Sequence, residues 1–469
     1  MSSLHPKTVF KTGCQELVQL PKQMNSRKKR VFSLITFLSI TVVIFAQQVG
    51  SNSPYSRYGY GSLSNPSLGA SEAMGGISYG LRRSQQVNPG NPASYSELDS
   101  LTFIFDMGVS GHLAHMNDGS NKRDFYNGNL DYVAMQFPLL RNVGASIGLL
   151  PYSKMGYNYG GARSLSNIQY LESYRGTGGL TQIYAGVAWE PVENLSAGVN
   201  ISYLFGSFSR SSVVTPIATS ALVTEDKHQY SLRNLKYDLG LQYRIGIDKN
   251  RSLTLGAVYT PAIHAKADVN NSILLYSGDP YDNPWLTPSG EITNDTVRGV
   301  SFDLPHSFGL GFTYTNGRLL FGLDGTYQMW NEADYPGMLD GLSGSERYND
   351  MIRINSGVEY VIDPVSQNYF HRIRFRGGVS YSNAYTNFSV VNPDSGLSAG
   401  MGSYREYGVN VGLGLPFRDY MSGHVSMLNI GFGYSRQEPD AKFMIRQDMF
   451  KISLNMNINE FWFFKRQFN

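Results

Sequence analysis

The sequence predicts an all-β fold, a closed 14-stranded antiparallel transmembrane β-barrel, and three observations carry that prediction. The first is composition. Of 469 residues, 50 are Gly and 32 are Tyr, while Asp, Glu, Lys and Arg make only 16%, against roughly 25% in a soluble globular chain. The second is periodicity: from Leu101 onward apolar residues alternate with small or polar ones, as in strands with one face in hydrocarbon and one in water. The third is that after residue 46 no apolar run approaches the roughly 18 residues a membrane-spanning helix needs. Together they exclude an ordinary cytosolic enzyme and a helical membrane protein.

Residues 1–46 read as a leader. Arg27, Lys28, Lys29 and Arg30 precede an apolar stretch from Val31 to Phe45, and Ala46 offers a small residue at a cleavage site, the layout of a secretory signal peptide. Met24, just ahead of the basic cluster, is the expected start. Removing the leader takes away seven basic side chains and one acidic one, so the formal charge of +3 becomes −3. A nucleic-acid partner, which would need a clustered basic face, is therefore not expected. Cys14, the sole cysteine, leaves with the leader, so the mature chain has no disulfide framework and no Cys-based metal site.

Residues 47–100 are rich in Ser, Asn, Gly and Pro and include Asn88-Pro89-Gly90-Asn91-Pro92, which is turn chemistry without strand alternation. Strands follow near 101–115, 128–139, 143–158, 181–191, 195–210, 230–247, 252–267, 298–315, 317–331, 348–363, 369–387, 402–417, 423–436 and 443–458. In the sixth, Leu235, Tyr237, Leu239, Leu241, Tyr243 and Ile245 alternate with Lys236, Asp238, Gly240, Gln242 and Arg244. In the ninth, Leu319, Phe321, Leu323 and Tyr327 oppose Gly322, Asp324, Thr326 and Gln328. Short links alternate with longer connections throughout, as the periplasmic turns and outer loops of such barrels do. This parity puts both termini on the periplasmic side, so residues 47–100 either plug the barrel spanning 101–460 or hang beneath it. Residues 461–469, with Phe461, Trp462, Phe463 and Phe464, read as an aromatic end and a short tail.

Gly69-Ala70-Ser71-Glu72-Ala73-Met74-Gly75-Gly76, followed by Asn91-Pro92-Ala93-Ser94, resembles the N-terminal hatch of the long-chain fatty-acid transporter (FadL/TodX) family of outer-membrane barrels. Leu304-Pro305-His306-Ser307-Phe308-Gly309, leading to Tyr327 and Trp330, is similar to a strand pair of that family. The resemblance implies fourteen strands, a hatch at 47–100, and passive uptake of hydrophobic, fatty-acid-like compounds with lumenal binding and sideways release into the membrane at a kink in the third strand. On that analogy the hatch motif is Ala73, Met74, Gly75, Gly76, Asn91, Pro92 and Ala93, and the kink is Pro151, which lacks a ladder donor and sits at a break or bulge. An ordinary bulge is the other reading of Pro151. The inward Gly144, Ser146 and Gly148 of the same strand either leave lumenal room or receive the hatch.

Alternation turns Arg353 and Glu359 on the tenth strand and Arg372, Arg374 and Arg376 on the eleventh toward the lumen. A turn near Ser366 sets Arg374 opposite Glu359 and Arg376 opposite Gly357. Arg376 then either receives a carboxylate head group or pairs with a hatch acid such as Glu97 or Asp99. The seven histidines outside the leader form no metal spacing, and neither an enzyme nor a cofactor is expected. The outer connection 268–297 is apolar for a surface loop, with Ile273, Leu274, Leu275, Tyr276, Tyr281, Trp285 and Leu286. The expected partners are outer-membrane lipid and a hydrophobic small molecule. The alternative to transport is an accessory or assembly component of a secretion or lipopolysaccharide-handling system, with an envelope protein as partner.

Overall fold

The computed structural model describes residues 53–99, 102–117, 122–165, 168–217, 221–283, 285–333, 347–391, 398–418 and 425–461. The leader with its cleavage site, and the tail after 461, lie outside them.

Fourteen strands close a barrel: β1 (Thr102–Asn117), β2 (Lys122–Leu140), β3 (Val143–Leu165), β4 (Ile168–Val192), β5 (Leu195–Pro216), β6 (Val223–Gly246), β7 (Arg251–Thr260, then Lys266–Tyr276), β8 (Gly290–Ser301, then Ser307–Asn316), β9 (Leu319–Gln328), β10 (Met351–Val361), β11 (Arg374–Asn383), β12 (Tyr404–Arg418), β13 (Val425–Pro439) and β14 (Arg446–Phe461). Each pairs antiparallel with its neighbours, and β14 returns to β1 from Phe461↔Thr102 to Arg446↔Asn117. Closure gives the strands partners on both sides, which is how this fold tolerates hydrocarbon with few apolar residues per strand.

The alternation decides which face is which. On β6 Leu235, Leu239 and Leu241 are 46–48% exposed while Gln242 is fully buried; on β9 Phe321 and Leu323 face out and Asp324 is buried. Apolar side chains thus form the outer belt, and polar or small ones the lumen, the inverse of a soluble core.

Strand ends differ from expectation at the long-connection side. The stretches 159–180 and 211–229 are mostly ladder, with Tyr159↔Tyr174 and Leu165↔Ile168 joining β3 to β4 and Val214↔Thr224 joining β5 to β6. The hairpins run on past the apolar belt, where both faces meet polar surroundings and the alternation that marks strands in lipid disappears. β7 and β8 each break beside a proline, Pro261 and Pro305, since proline cannot donate to a ladder. The expected strand 369–387 begins only at Arg374, because Tyr369–Arg372 forms a short 3₁₀ turn capped by Asn368. Arg372 therefore sits before the strand, its guanidinium over the Tyr369 ring.

Candidate functional site

Residues 53–99 carry little regular structure, yet most are buried, because their turns rest on the inward faces of the strands. Two cross-strand glycine pairs and one glycine of a third pair receive them. At Gly357↔Gly378 on β10 and β11 a Cβ on either glycine would meet the Met74–Gly75 backbone, and Gly75 itself presses on Ser356 and Val379 main chain. Gly75 and Gly76 hold φ of 69° and 89°, a region open to glycine at no steric cost. At Gly198↔Gly240 on β5 and β6 the wall is cut away for Asn91 and Pro92. Asn91 caps a 3₁₀ turn over Pro92–Glu97 by accepting from the Ala93 N–H at 3.1 Å, and Ser196 donates to the Ala93 carbonyl at 2.6 Å. At Gly256↔Gly311 on β7 and β8 the Tyr79–Gly80 backbone lies against Gly256. Asp324 on β9 accepts from the main-chain N–H groups of Ser78 and Tyr79 at 2.5 and 2.8 Å. Burial pushes the Tyr79 phenol up to about 12 and the Tyr95 phenol well above its usual value. Met74, Gly75, Asn91 and Pro92 of the motif thus approach the wall closely, as do Tyr79 and Tyr95 outside it.

Gly144 on β3 belongs to the same set, since a Cβ there would strike the Tyr95 carbonyl. Ser146 bonds the Tyr184 hydroxyl at 2.9 Å, and Gly148 lies under the Tyr184 ring. Of the two readings of these small residues, the one in which they receive the N-terminal segment holds at Gly144, and wall packing fills the rest.

Two ion clusters tie the segment to the short-turn end. Arg82 reaches Glu97 at 2.9 Å and Glu190 at 2.7 Å, while Arg244 reaches Glu97 at 2.7 Å. Glu359 receives Arg83, Arg374 and Arg376 at 2.9, 2.8 and 2.7 Å. The register corrects the sequence reading: Glu359 lies opposite Arg376, Arg374 opposite Val361, and Gly357 opposite Gly378. The 3₁₀ turn Tyr369–Arg372 takes up residues that a plain turn at Ser366 would have left in the strand. Arg376 is accordingly paired, and Glu97 is held by Arg82 and Arg244. Arg353 faces a cavity of about 120 Å³ between the segment and β6, with Lys236, Asp238 and Tyr79 on its walls.

An aromatic cluster sits in the outer part of the lumen, near the buried Arg210 and Glu225. Tyr60, Phe302, Trp330, Tyr348 and Tyr385 are buried together, with Trp330 and Tyr385 ring centroids 4.5 Å apart and the Tyr60 hydroxyl donating to the Phe302 carbonyl at 2.5 Å. In the outer connection 268–297, Leu274, Tyr276 and Leu286 pack on Val213 and Val223, which leaves Trp285 as the outward ring at 89% exposure.

The wall ladder is interrupted on β6 between Leu232↔Ala267 and Leu239↔Tyr259, between β7 and β8 around the lone Ile263↔Leu304 bridge, and at β2–β3, where the N-terminal segment covers the free edge. The β2–β3 ladder runs from Leu140↔Val143 only to Val133↔Leu149, and Pro151 follows, with a bulge at Tyr152 in the β3–β4 register. Beyond Leu149 the free edge of β3 pairs with two residues of the N-terminal segment, Ser62↔Lys154 and Leu63↔Ser153. A cavity of about 320 Å³ lies against this seam, lined by Leu63, Phe125, Asp131, Pro151, Lys154 and Lys451 among others. Lys451 bridges Glu72 and Asp131, and Lys154 stands 4.0 Å from Asp131. Ser110 contacts both His112 (2.9 Å) and Asp131 (2.8 Å). The serine is the bridging group, whereas a nucleophilic triad needs the histidine between serine and acid. Among the described residues no His, Cys, Asp and Glu group could hold a metal.

A family model described as BamG matches residues 28–469. The chain belongs to the BamG family. No curated protein matches it. Among solved structures it is similar to the CymD monoaromatic hydrocarbon channel, with TM-score 0.53, 14% identity, and 84% of this chain and 98% of that one covered. It is similar to a Pseudomonas aeruginosa FadL homologue (0.53, 13%, 85% and 99%) and to the P. putida toluene transporter TodX (0.52, 17%, 86% and 100%). This BamG-family chain thus has the outer-membrane barrel fold of the FadL-type hydrocarbon channels. Sequence reasoning missed Arg82 and Arg83 as ion-pair partners, because both lie in a segment without periodicity, and the Ser62–Leu63 strand is too short to leave a pattern.

Proposed function

We propose that this BamG-family barrel is an outer-membrane channel for passive uptake of small hydrophobic compounds, with residues 47–100 as its hatch and the β2–β3 seam beside Pro151 as the lateral exit to the bilayer. One observation carries the reading: the wall ladder stops at Val133↔Leu149 and the gap is bordered by a lumenal cavity and covered by two residues of the hatch. Passage then requires the Ser62–Leu63 strand to leave the β3 edge. The similar structures, a monoaromatic hydrocarbon channel and a toluene transporter, support the same class of cargo. Joining that strand to the wall tests it. With Ser62→Cys and Lys154→Cys, which are register partners, the oxidised barrel in liposomes is expected to pass a hydrophobic fluorescent probe at least about tenfold more slowly than the reduced one; equal rates would overturn the reading.

A second reading, the accessory component of a secretion or lipopolysaccharide-handling system, is favoured by the buried aromatic cluster in the outer lumen and by the charged side chains at the seam. Native mass spectrometry of the barrel extracted without detergent separates the two. A retained hydrophobe supports transport; a stoichiometric envelope protein with no hydrophobe supports the accessory role.

A further inference from the structure

At the short-turn end a cavity of about 370 Å³ lies between the N-terminal segment and strands β1, β11, β13 and β14, with Arg83, Gln85, Asp106, Arg374 and Arg376 among its lining residues. We propose that this cavity is a binding site for an oxyanion, a phosphate or carboxylate group carried on a larger periplasmic or inner-leaflet molecule.

Charge and donor count both point there. Glu359, only 3% exposed at its side chain, has one negative charge and is shared by three guanidinium groups. Holding the segment to the wall needs Arg83 alone; Arg374 and Arg376 come from the wall itself. Arg376 gives Nε to Glu359 and Nη1 to Asn429 at 2.6 Å, and its side chain is only 2% exposed. Arg83 and Arg374 differ: among the described residues each spends one nitrogen on Glu359, and each has five N–H donors. Their side chains are 22% and 24% exposed, and Gln85 beside them is exposed, so the unspent donors meet solvent through the cavity. The cavity's two acids are both occupied: Asp106 by the Tyr132 hydroxyl at 2.7 Å and Asn457 at 3.0 Å, and Glu97 by Arg82 and Arg244. Arg82 reaches Glu97 and Glu190, and its side chain is only 1% exposed. Two planar forks converging from segment and wall suit the oxygens of phosphate or carboxylate, which accept in pairs. The inference stands apart from transport, because it concerns the opposite end of the lumen from the seam.

The experiment uses the mature barrel in phosphatidylcholine nanodiscs, titrated calorimetrically with glycerol 3-phosphate and with acetate, alongside nanodiscs containing phosphatidylglycerol analysed by native mass spectrometry. The expected result is one site, weakened about tenfold or more by Arg374→Gln and by Arg83→Gln, which remove charge-assisted bonds, and retained or tightened by Glu359→Gln, which removes the competing carboxylate. Binding of the soluble ligand identifies a soluble source; Arg374-dependent retention of phosphatidylglycerol alone identifies a lipid headgroup. Arg374→Gln keeps two arginines on Glu359 and is the variant least able to disturb folding. No binding in either arm, binding indifferent to Arg374→Gln, or equal loss in Glu359→Gln, which would mean that packing of the segment was being read, overturns the proposal.

Discussion

The wall at β10–β11 and the wall at β2–β3 both receive the N-terminal segment on inward glycines, Gly357 and Gly378 in the one and Gly144 in the other, but their ladders differ. At β10–β11 the ladder is continuous from Arg353↔Ser382 to Val361↔Arg374, its paired glycines are filled by Met74 and Gly75, and a buried carboxylate with three arginines closes the short-turn end. At β2–β3 the ladder ends partway, a proline replaces a donor, and the free edge is covered by only two residues of the N-terminal segment. The first junction fixes that segment against the barrel. The second leaves backbone groups that the barrel itself does not pair, and these are available to a strand or a ligand. The same segment is thus held by close packing at the first junction and by main-chain pairing at the second.

The largest expected effect breaks the anchored side. Gly357→Val would drive a branched side chain into the Met74 carbonyl, overpacking worth about 1–3 kcal/mol or more, with loss of the heat-modifiable folded band on a gel. Gly377→Val on the same ladder is the control, because its Cβ would meet only ordinary contacts at 3.9 Å; the folded band should persist. At the seam side Gly161→Val should be as mild, since nothing lies within 4 Å of its Cβ. Equal sensitivity at Gly357 and Gly161 would erase the distinction between the two walls.

A smaller effect is expected at the ion cluster on the far side of the short-turn end. Glu97 accepts from Arg82 and Arg244, and Glu97→Gln leaves Arg82 with Glu190 but Arg244 with only the long contact to the Arg82 carbonyl. Because an amide oxygen still accepts, only the charge assistance is lost, about 1 kcal/mol at this partial burial. Urea unfolding of the detergent-solubilised barrel should lose about that much, and protease should cut the segment near Arg83 sooner. Unchanged proteolysis would mean that the glycine contacts alone seat it.

The barrel was legible in the sequence because lipid enforces alternation: wherever one face meets hydrocarbon, as on β6 from Leu235 to Ile245, side chains must repeat every second residue. Where the hairpins pass beyond the apolar belt, at Tyr159 or Thr224, that constraint lapses and ladder reads as loop. Register at β10–β11 was hidden by the 3₁₀ turn Tyr369–Arg372, which absorbs residues without any periodic mark. The inward glycines were visible individually, but their pairing into Gly357↔Gly378 and Gly198↔Gly240 depends on register, and so does which turn of the N-terminal segment each pair receives. Arg83 was illegible as a partner of Glu359 because 276 residues of chain separate them, and no local pattern encodes a contact of that span.

The smallest and most pointed effect belongs to Pro151. Proline withholds an N–H at the position where β3 turns from β2, so Pro151→Val supplies a donor and a residue that favours extended backbone. If the proline causes the seam, the β2–β3 ladder should lengthen past Leu149. Amide exchange at Leu150 would slow, the new amide at the substituted position would be protected, and uptake of a hydrophobic probe would fall, by about threefold if one added bond contributes about 0.7 kcal/mol. If instead Ser62 and Leu63 cause the seam by occupying the β3 edge, the added donor finds no partner on β2, because that edge is already held away by the segment. Exchange and uptake would then stay as they are, and removing the Ser62–Leu63 pairing, by Leu63→Pro, would be the change that closes β2 onto β3. The two variants assign the incomplete wall either to the barrel strand or to the segment laid upon it.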